Sequence, residues 1–316
     1  MNKALLLSLA LFCCGLQMQA QTMTEDEIMA KLNEASALDN AKKTAEALDA
    51  FLLIGKNMEQ QRTEVEHQIY VYCQAKACMC YETLKRYKEA YLLAKKLMSG
   101  SLTEKEKKDV AHLYAMNGYM YATSFMHGNN RQLVKARTIL EGIMPYADGK
   151  VREYALPKIP LSWYFEAAEY HLSQQYDKAL ACYQNALKGF IELGKTDDEI
   201  SVLRHIAEIK ETLYDVVGSE DAYKQALSLS RQTGKSDVQM EILKELWYIR
   251  KTIGDVRQAQ TYSVSMDSLV EATYDLQTKY NYYNQKGNEA KGLGQYGIAE
   301  QWYLRGKNIA ERADAK

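Results

Sequence analysis

The sequence predicts an all-α fold, an α-α superhelix of about six to seven stacked helix hairpins. Only 3 prolines and 17 glycines interrupt the 316 residues, which favours long helices. Apolar residues recur at helical spacing, as at Trp163, Ala167 and Tyr170. Matching positions also return every 40 residues, at Ala186, Ala226, Met266 and Gly306. A fixed period of this size is typical of repeated supersecondary units.

Residues 160–193 form the clearest predicted hairpin. One helix carries Trp163, Ala167 and Tyr170 on one face, and a second helix repeats the pattern after the polar turn 172–177. Such a hairpin buries one face against itself and leaves other faces for its neighbours.

These residues resemble the tetratricopeptide repeat family. Its aromatic, small and tyrosine positions are filled here by Trp163, Ala167, Tyr170, Tyr176, Ala179, Tyr183 and Ala186. The last repeat matches with Tyr283, Gly287, Gly294, Tyr296, Ala299, Tyr303 and Gly306. The 40-residue spacing exceeds the usual 34 of the family, which predicts helices longer by nearly one turn. In a third repeat, Trp247 stands where a small residue is usual, which predicts either looser packing of that hairpin or a wider gap between its helices.

We expect three segments along the chain. Residues 1–20 are predicted to be a signal peptide, residues 21–150 degenerate N-terminal helical repeats, and residues 151–316 regular repeats. The signal is predicted from Lys3, the apolar run 4–16 and the small residue Ala20. It places the protein in the periplasm or another extracytoplasmic compartment, and a lipid anchor on Cys13 or Cys14 is disfavoured because no small residue precedes them.

Charge and cysteine content exclude several classes of function. The net charge of −1 gives no support to nucleic-acid binding. No later segment is apolar for 18 residues, so no membrane span is expected after signal cleavage. Four cysteines remain in the mature chain, and their helical spacing favours buried thiols over disulfides or a metal site. They are Cys73, Cys78, Cys80 and Cys182.

No motif in the sequence nominates a catalytic, metal or cofactor site. The glycines of 287–294 lack the Gly-Lys-Ser/Thr ending of a phosphate loop. The histidines are scattered, without partners at metal-ligand spacing. We therefore predict a protein that is not an enzyme, with no cofactor and no metal.

The resemblance implies that the first helix of each hairpin lines a concave binding face. Family positions that face this groove, carried onto this chain, give the predicted partner-binding residues. They are Tyr164, His171, Arg204, Lys244, Tyr248, Lys251, Asn284 and Asn288. Lysine, asparagine and tyrosine side chains suit the carboxylate and backbone of a peptide.

The sequence therefore predicts an exported, non-catalytic scaffold that binds a protein or peptide partner on its concave face. An alternative is a sensory or ligand-binding component of an envelope signalling system, acting through a membrane partner. Another is a hydrolase or carbohydrate-active accessory protein. The chain ends within a second helix with no separate cap, so we also expect that a homo-oligomer could cover that face.

Overall fold

The computed structural model describes residues 24–60, 63–128 and 130–314, apart from the side chains of residues 25, 273, 313 and 314. Within these ranges the chain forms α-helices joined by short turns and contains no strand, which confirms the predicted all-α class. The predicted signal peptide, residues 1–20, lies outside the described residues.

The helices fall into two compact units, one up to Ser162 and one from Trp163. The first unit contains α1 (Glu25–Asn40), α2 (Thr44–Asn57), α3 (Glu64–Thr83), α4 (Tyr87–Met98), α5 (Glu104–Ser124), α6 (Leu133–Ile143) and α7 (Gly149–Ala155). Helix α8 (Lys158–Leu172) carries the boundary. The second unit continues with α9 (Tyr176–Glu192), α10 (Thr196–Thr212), α11 (Val216–Gln232), α12 (Ser236–Thr252), α13 (Val256–Thr273), α14 (Leu276–Gly292) and α15 (Tyr296–Asp314).

Except for α7, consecutive helices pair into hairpins, each with a first (A) and a second (B) helix. The A helices are α1, α3, α5, α8, α10, α12 and α14, and the B helices are α2, α4, α6, α9, α11, α13 and α15. Seven hairpins in the described residues agree with the predicted six to seven.

The second unit keeps the 40-residue period in its helix boundaries. Its B helices begin at Tyr176, Val216, Val256 and Tyr296. Helices α9 to α12 each have 17 residues. At about 1.5 Å per residue such a helix is roughly 25 Å long, which confirms the predicted lengthening.

The A helices of the first unit share a start signal that the pattern search missed. Thr24, Thr63 and Thr103 each cap a helix and accept a hydrogen bond from the backbone of a glutamate three residues on. The side-chain carboxylate of that glutamate in turn accepts a hydrogen bond from the threonine backbone N–H, so two unpaired donors are satisfied at each helix start. Each such cap typically contributes about 1 kcal/mol.

The core of the first unit is formed by the apolar faces of its A and B helices. Phe51 and Ile54 of α2 pack with Cys73 and Ala77 of α3, and all four are fully buried. The four described cysteines are free and buried, as predicted. Burial raises the pKa of the Cys73 thiol to about 12, so this group stays protonated and inert near neutral pH.

The second unit relies on small residues where helices approach. Ala167 and Ala207, at equivalent positions 40 residues apart, have no exposed surface. Gly287 fills the same position in α14, where an added Cβ would lie 2.5 Å from the Tyr303 ring of α15. This close approach explains why the repeat pattern requires a small residue at this slot.

Candidate functional site

The first helices of the second unit contact one another through their side chains. The Tyr164 hydroxyl of α8 lies 3.1 Å from Nε2 of His205 in α10. Arg204 of α10 forms an ion pair of 2.8 Å with Glu241 of α12. We call the surface carried by α8, α10, α12 and α14 the A-helix face, and two clefts open on it.

The α12–α14 cleft has a volume of about 330 Å³. It is lined by aromatic, apolar and charged side chains from three helices. These are Lys244, Glu245, Trp247, Tyr248, Met266, Tyr282, Gln285, Lys286 and Glu289. Mostly apolar pockets with a few convergent polar groups are typical of ligand sites, and this cleft has the size of one large side chain or a small group.

Trp247 lines this cleft at a position where the repeat pattern otherwise has a small residue. Its position in the repeat is held by Ala167, Ala207 and Gly287 in the other hairpins of the second unit. An indole does not fit where two helix backbones approach closely, so the ring is only half-buried and lines the cleft. Trp247, which departs from the small residues of the repeat pattern, thus lines the α12–α14 cleft.

The polar groups around the cleft are held in place by specific partners. The Tyr282 hydroxyl donates to Asp267 of α13 at 2.7 Å, and burial followed by this hydrogen bond raises the pKa of Tyr282. The Lys286 ammonium donates to Ser263 at 3.0 Å. Lys251 lies outside the lining, with its ammonium 4.4 Å from the centre of the Trp247 ring. That cation–π contact helps to fix the orientation of the indole.

The α10–α12 cleft is larger, about 510 Å³, and acidic. Three of its lining residues are Glu208, Glu211 and Glu245. Burial and then the neighbouring charges of Glu245 and Glu208 raise the pKa of Glu211. Burial acts in the same direction on Glu208, but a hydrogen bond with His205 and nearby positive charges outweigh it and lower the pKa of Glu208. The cleft thus presents concentrated negative charge.

The structure places the predicted partner-binding residues in three different settings. Lys244 and Tyr248 line the α12–α14 cleft together, and Tyr248 is 54% exposed. Asn284 and Asn288 instead lie on the side of α14 that faces α15: Asn288 accepts a hydrogen bond from the Tyr303 hydroxyl at 2.7 Å, and Asn284 lies beside Gly306. Whether any of these residues binds a partner stays a prediction.

The remaining predicted residues, Tyr164, His171 and Arg204, lie away from the α12–α14 cleft. Arg204 is engaged with Glu241, as described above. Tyr164 and His171 both contact the ring of Tyr183, at 5.8 Å and 6.4 Å between centroids. They belong to a separate cluster on α8, α9 and α10.

This cluster corrects the prediction that the histidines are scattered. One ligand atom from each of His171, His205 and Glu208 lies within 4.8 Å of the others, and this is the group of described side chains with the geometry to hold a metal ion. The two histidines are 34 positions apart in sequence, on neighbouring A helices. A spacing search cannot detect such a pair, because the contact depends on how two A helices pack side by side.

The sequence analysis also missed four side chains that α14 contributes to its cleft: Tyr282, Gln285, Lys286 and Glu289. A signal for Tyr282 was available. Its repeat position is held by Val202 and Ile242 in earlier hairpins, both fully buried. A tyrosine at a slot that two earlier hairpins fill with buried aliphatic residues indicates a ring that needs a polar neighbour for its hydroxyl.

No helix among the described residues is both long and apolar enough to cross a membrane. No family model matches the chain, and no curated protein matches it.

The fold resembles several solved helical-repeat structures. Aspartyl phosphate phosphatase F from Bacillus subtilis is 12% identical, with a TM-score of 0.41 over 92% of this chain and 76% of that chain. A Rap protein complexed with Competence and Sporulation Factor is 15% identical, with a TM-score of 0.32 over 91% and 77%. The C-terminal part of a TPR repeat-containing protein from Cytophaga hutchinsonii is 15% identical, with a TM-score of 0.33 over 76% and 96%. Within the described residues, each compact unit of the chain is all-α and built from consecutive helix hairpins.

Proposed function

We propose that this protein is a non-catalytic scaffold that binds a protein or peptide segment on its A-helix face. The α12–α14 cleft is the main anchor point. The observation that carries the proposal is the placement of Trp247, Tyr248 and Tyr282 around one open cleft beside Lys244. Aromatic side chains supply most of the binding energy at protein interfaces, and they do so from partly desolvated pockets.

The lining indicates the kind of segment that fits. A large apolar or aromatic side chain of the partner enters between Trp247 and Tyr282 and displaces water from the rings. An adjacent carboxylate, from an acidic side chain or a chain terminus, then lies within reach of Lys244, which is exposed at the edge. Glu289 on the opposite helix selects against a second negative charge there.

We also propose that the protein is exported. This rests on the sequence alone: Lys3, the apolar run 4–16 and Ala20 form a secretory signal. The partner would then be an extracytoplasmic protein or peptide. N-terminal sequencing of the protein isolated from its native envelope tests this, and a start at Gln21 is expected. An intact Met1 would contradict export by cleavage.

The binding proposal is tested by selecting peptides from a random library on the purified protein and measuring the affinity of the selected peptides by fluorescence anisotropy. The variant Lys244→Ala/Tyr248→Ala removes two exposed lining groups without touching the core. We expect at least a tenfold weaker Kd, since a single interface anchor is commonly worth more than about 1.4 kcal/mol.

The matched control is Tyr154→Ala/Lys188→Ala, which removes an exposed tyrosine of α7 and an exposed lysine of α9. We expect this control to bind like the wild type. Equal binding by all three proteins would place the peptide site elsewhere. A library that yields no peptide retained by the wild type would contradict peptide binding on this face.

A further inference from the structure

Two helices bring three side chains of metal-ligating type, two histidines and a glutamate, to one place at the other end of the A-helix face. His205 and Glu208 are three residues apart on α10, so their side chains project from the same side of that helix. His171 lies in the last turn of α8 and faces them, with its ring centroid 6.2 Å from that of His205. One ligand atom from each residue lies within 4.8 Å of the other two.

This separation suits a small metal ion. A tetrahedral Zn²⁺ holds nitrogen and oxygen ligands at about 2.1 Å, which places ligand atoms roughly 3.4 Å from one another. His205 Nδ1 and Glu208 Oε2 are 2.9 Å apart, and the third ligand atom lies within the 4.8 Å limit. The three ligand atoms therefore lie near the spacing that a bound ion requires.

The surroundings orient the His205 imidazole as a metal ligand. Its Nδ1 faces Glu208, while its Nε2 lies 3.1 Å from the Tyr164 hydroxyl. With Nδ1 on a metal, Nε2 carries the hydrogen and donates it to the Tyr164 oxygen, an arrangement that fixes the tautomer and ring of a ligating histidine. Tyr164 is thus a positioning residue.

A buried tyrosine supports both imidazoles. The His205 ring stacks on the Tyr183 ring at 5.4 Å with an interplanar angle of 17°, and His171 meets the same ring edge-on at 6.4 Å. Tyr183 is 1% exposed, so this support is rigid. Ligands already held in orientation lose less conformational freedom when an ion binds.

The electrostatic field favours a cation. Glu208 also lines the acidic α10–α12 cleft, together with Glu211 and Glu245. A cleft lined by one sign of charge raises the local concentration of the opposite ion, and Glu208 belongs both to this cleft and to the three ligands. Because His205 and Glu208 keep about a third or more of their side-chain surface exposed, a fourth coordination position remains open.

We propose that His171, His205 and Glu208 form a site for a divalent transition-metal ion such as Zn²⁺, with an open position for water or a ligand. Two imidazole nitrogens and one carboxylate oxygen are a donor set that suits zinc and its neighbours rather than calcium or magnesium. The site is distinct from the α12–α14 cleft and does not depend on the proposed function.

The test is a Zn²⁺ titration of the tag-free, chelator-stripped protein against a competing chromophoric chelator. We expect one tight site per chain in the wild type. His171→Gln, His205→Gln and Glu208→Gln each remove one ligand with little change in size. Each substitution should weaken Zn²⁺ binding by more than roughly 10- to 100-fold, which is the loss typical when a residue that only hydrogen-bonds to a metal ligand is removed.

The matched control is His112→Gln. His112 pairs with Asp148 at 3.4 Å in the first unit but has no third ligand among the described residues. This variant should bind Zn²⁺ like the wild type. Tyr164→Phe keeps the ring and removes the hydroxyl, so its affinity should fall about tenfold while its urea midpoint stays near that of the wild type. Far-UV circular dichroism confirms that each variant is folded.

Cobalt substitution gives a second, independent measurement. Co²⁺ bound by two histidines and a glutamate shows d–d absorption without a cobalt–thiolate charge-transfer band. Such a band would assign the metal to cysteine and overturn the proposal. Wild-type affinity no greater than that of the three ligand variants, or an equal loss in His112→Gln, would overturn it as well. In either case the three side chains form an ordinary hydrogen-bonded cluster.

Discussion

At the scale of single residues, one buried carboxylate ties three helices of the second unit together. Glu220 of α11 is 5% exposed and accepts hydrogen bonds from Arg250 of α12, at 3.0 Å from Nε, and from the Tyr262 hydroxyl of α13 at 3.1 Å. Lys224 adds an ion pair at 3.1 Å. Burial raises the pKa of Glu220, but these hydrogen bonds and charges outweigh it, so the pKa is lowered from 4.5.

Glu220→Gln should lower the free energy of unfolding by about 2 kcal/mol, because it removes the buried carboxylate that accepts charged hydrogen bonds from Arg250 and leaves Arg250 with Asp255 as its remaining carboxylate partner among the described residues. The wild-type contribution of Glu220 is fully present above pH 4.5 and is lost as the pH falls through the lower folded-state pKa. The variant should therefore lose less stability on acidification than the wild type. Urea unfolding between pH 7 and about pH 3 measures both effects.

The matched control for this prediction is Glu241→Gln, which breaks an ion pair whose carboxylate side chain is 56% exposed. Exposed pairs contribute at most about 1 kcal/mol, so the control should stay close to the wild type. Equal effects of the two substitutions would show that the Glu220 network does not hold the three helices together.

At the scale of elements, the turn inside each of the four hairpins of the second unit repeats a left-handed backbone conformation every 40 residues. The φ angles are +58° at Gln174, +60° at Tyr214, +82° at Gly254 and +72° at Gly294. Only glycine adopts this region without steric cost, and for other residues the cost is roughly 1–2 kcal/mol. The earlier hairpins therefore carry strain in their turns that the later ones avoid.

Gln174→Gly should raise the free energy of unfolding by about 0.5 kcal/mol, since relief of strain exceeds the added freedom of the unfolded chain. Gly254→Gln should lower it by about 1 kcal/mol. Gln184→Gly provides the control, because Gln184 is exposed in the interior of α9, where no left-handed conformation is needed and glycine should only destabilise. Urea midpoints measure all three, and a destabilising Gln174→Gly would refute the strain argument.

At the scale of the whole molecule, a repeat protein draws its stability from units and their nearest neighbours. In the second compact unit of the chain, a deletion should therefore remove one whole 40-residue repeat. The junctions support this, because Gly194 and Gly234 both have a positive φ, of +62° and +69°, and each is followed by a lysine and the start of an A helix.

Deletion of residues 196–235 removes one A and one B helix and rejoins Lys195 to Ser236, which recreates a native junction. This protein should keep its helical content per residue and unfold cooperatively at a lower urea concentration. Deletion of 196–215 removes one helix only and places two B helices in succession, so A-type and B-type faces no longer alternate. We expect it to lose helical signal or aggregate, and similar circular dichroism curves for the two deletions would contradict a 40-residue unit.

The sequence by itself determined the all-α class, the hairpins, the 40-residue period and the slots that must stay small. These features are local: residues three and four apart share a helix face, so a stripe such as Trp163, Ala167 and Tyr170 is visible without a structure. It also flagged Trp247 as an exception, and that residue lines the α12–α14 cleft.

Only the tertiary structure decided which sides of neighbouring A helices meet. It joined His171 to His205 and Glu208, and it brought Tyr282 and Lys286 across from Lys244 and Tyr248. It also turned Asn284 and Asn288 toward α15. The physical reason is that helix periodicity defines the buried stripe of each helix, whereas the rotation and crossing of adjacent helices depend on how all their side chains pack.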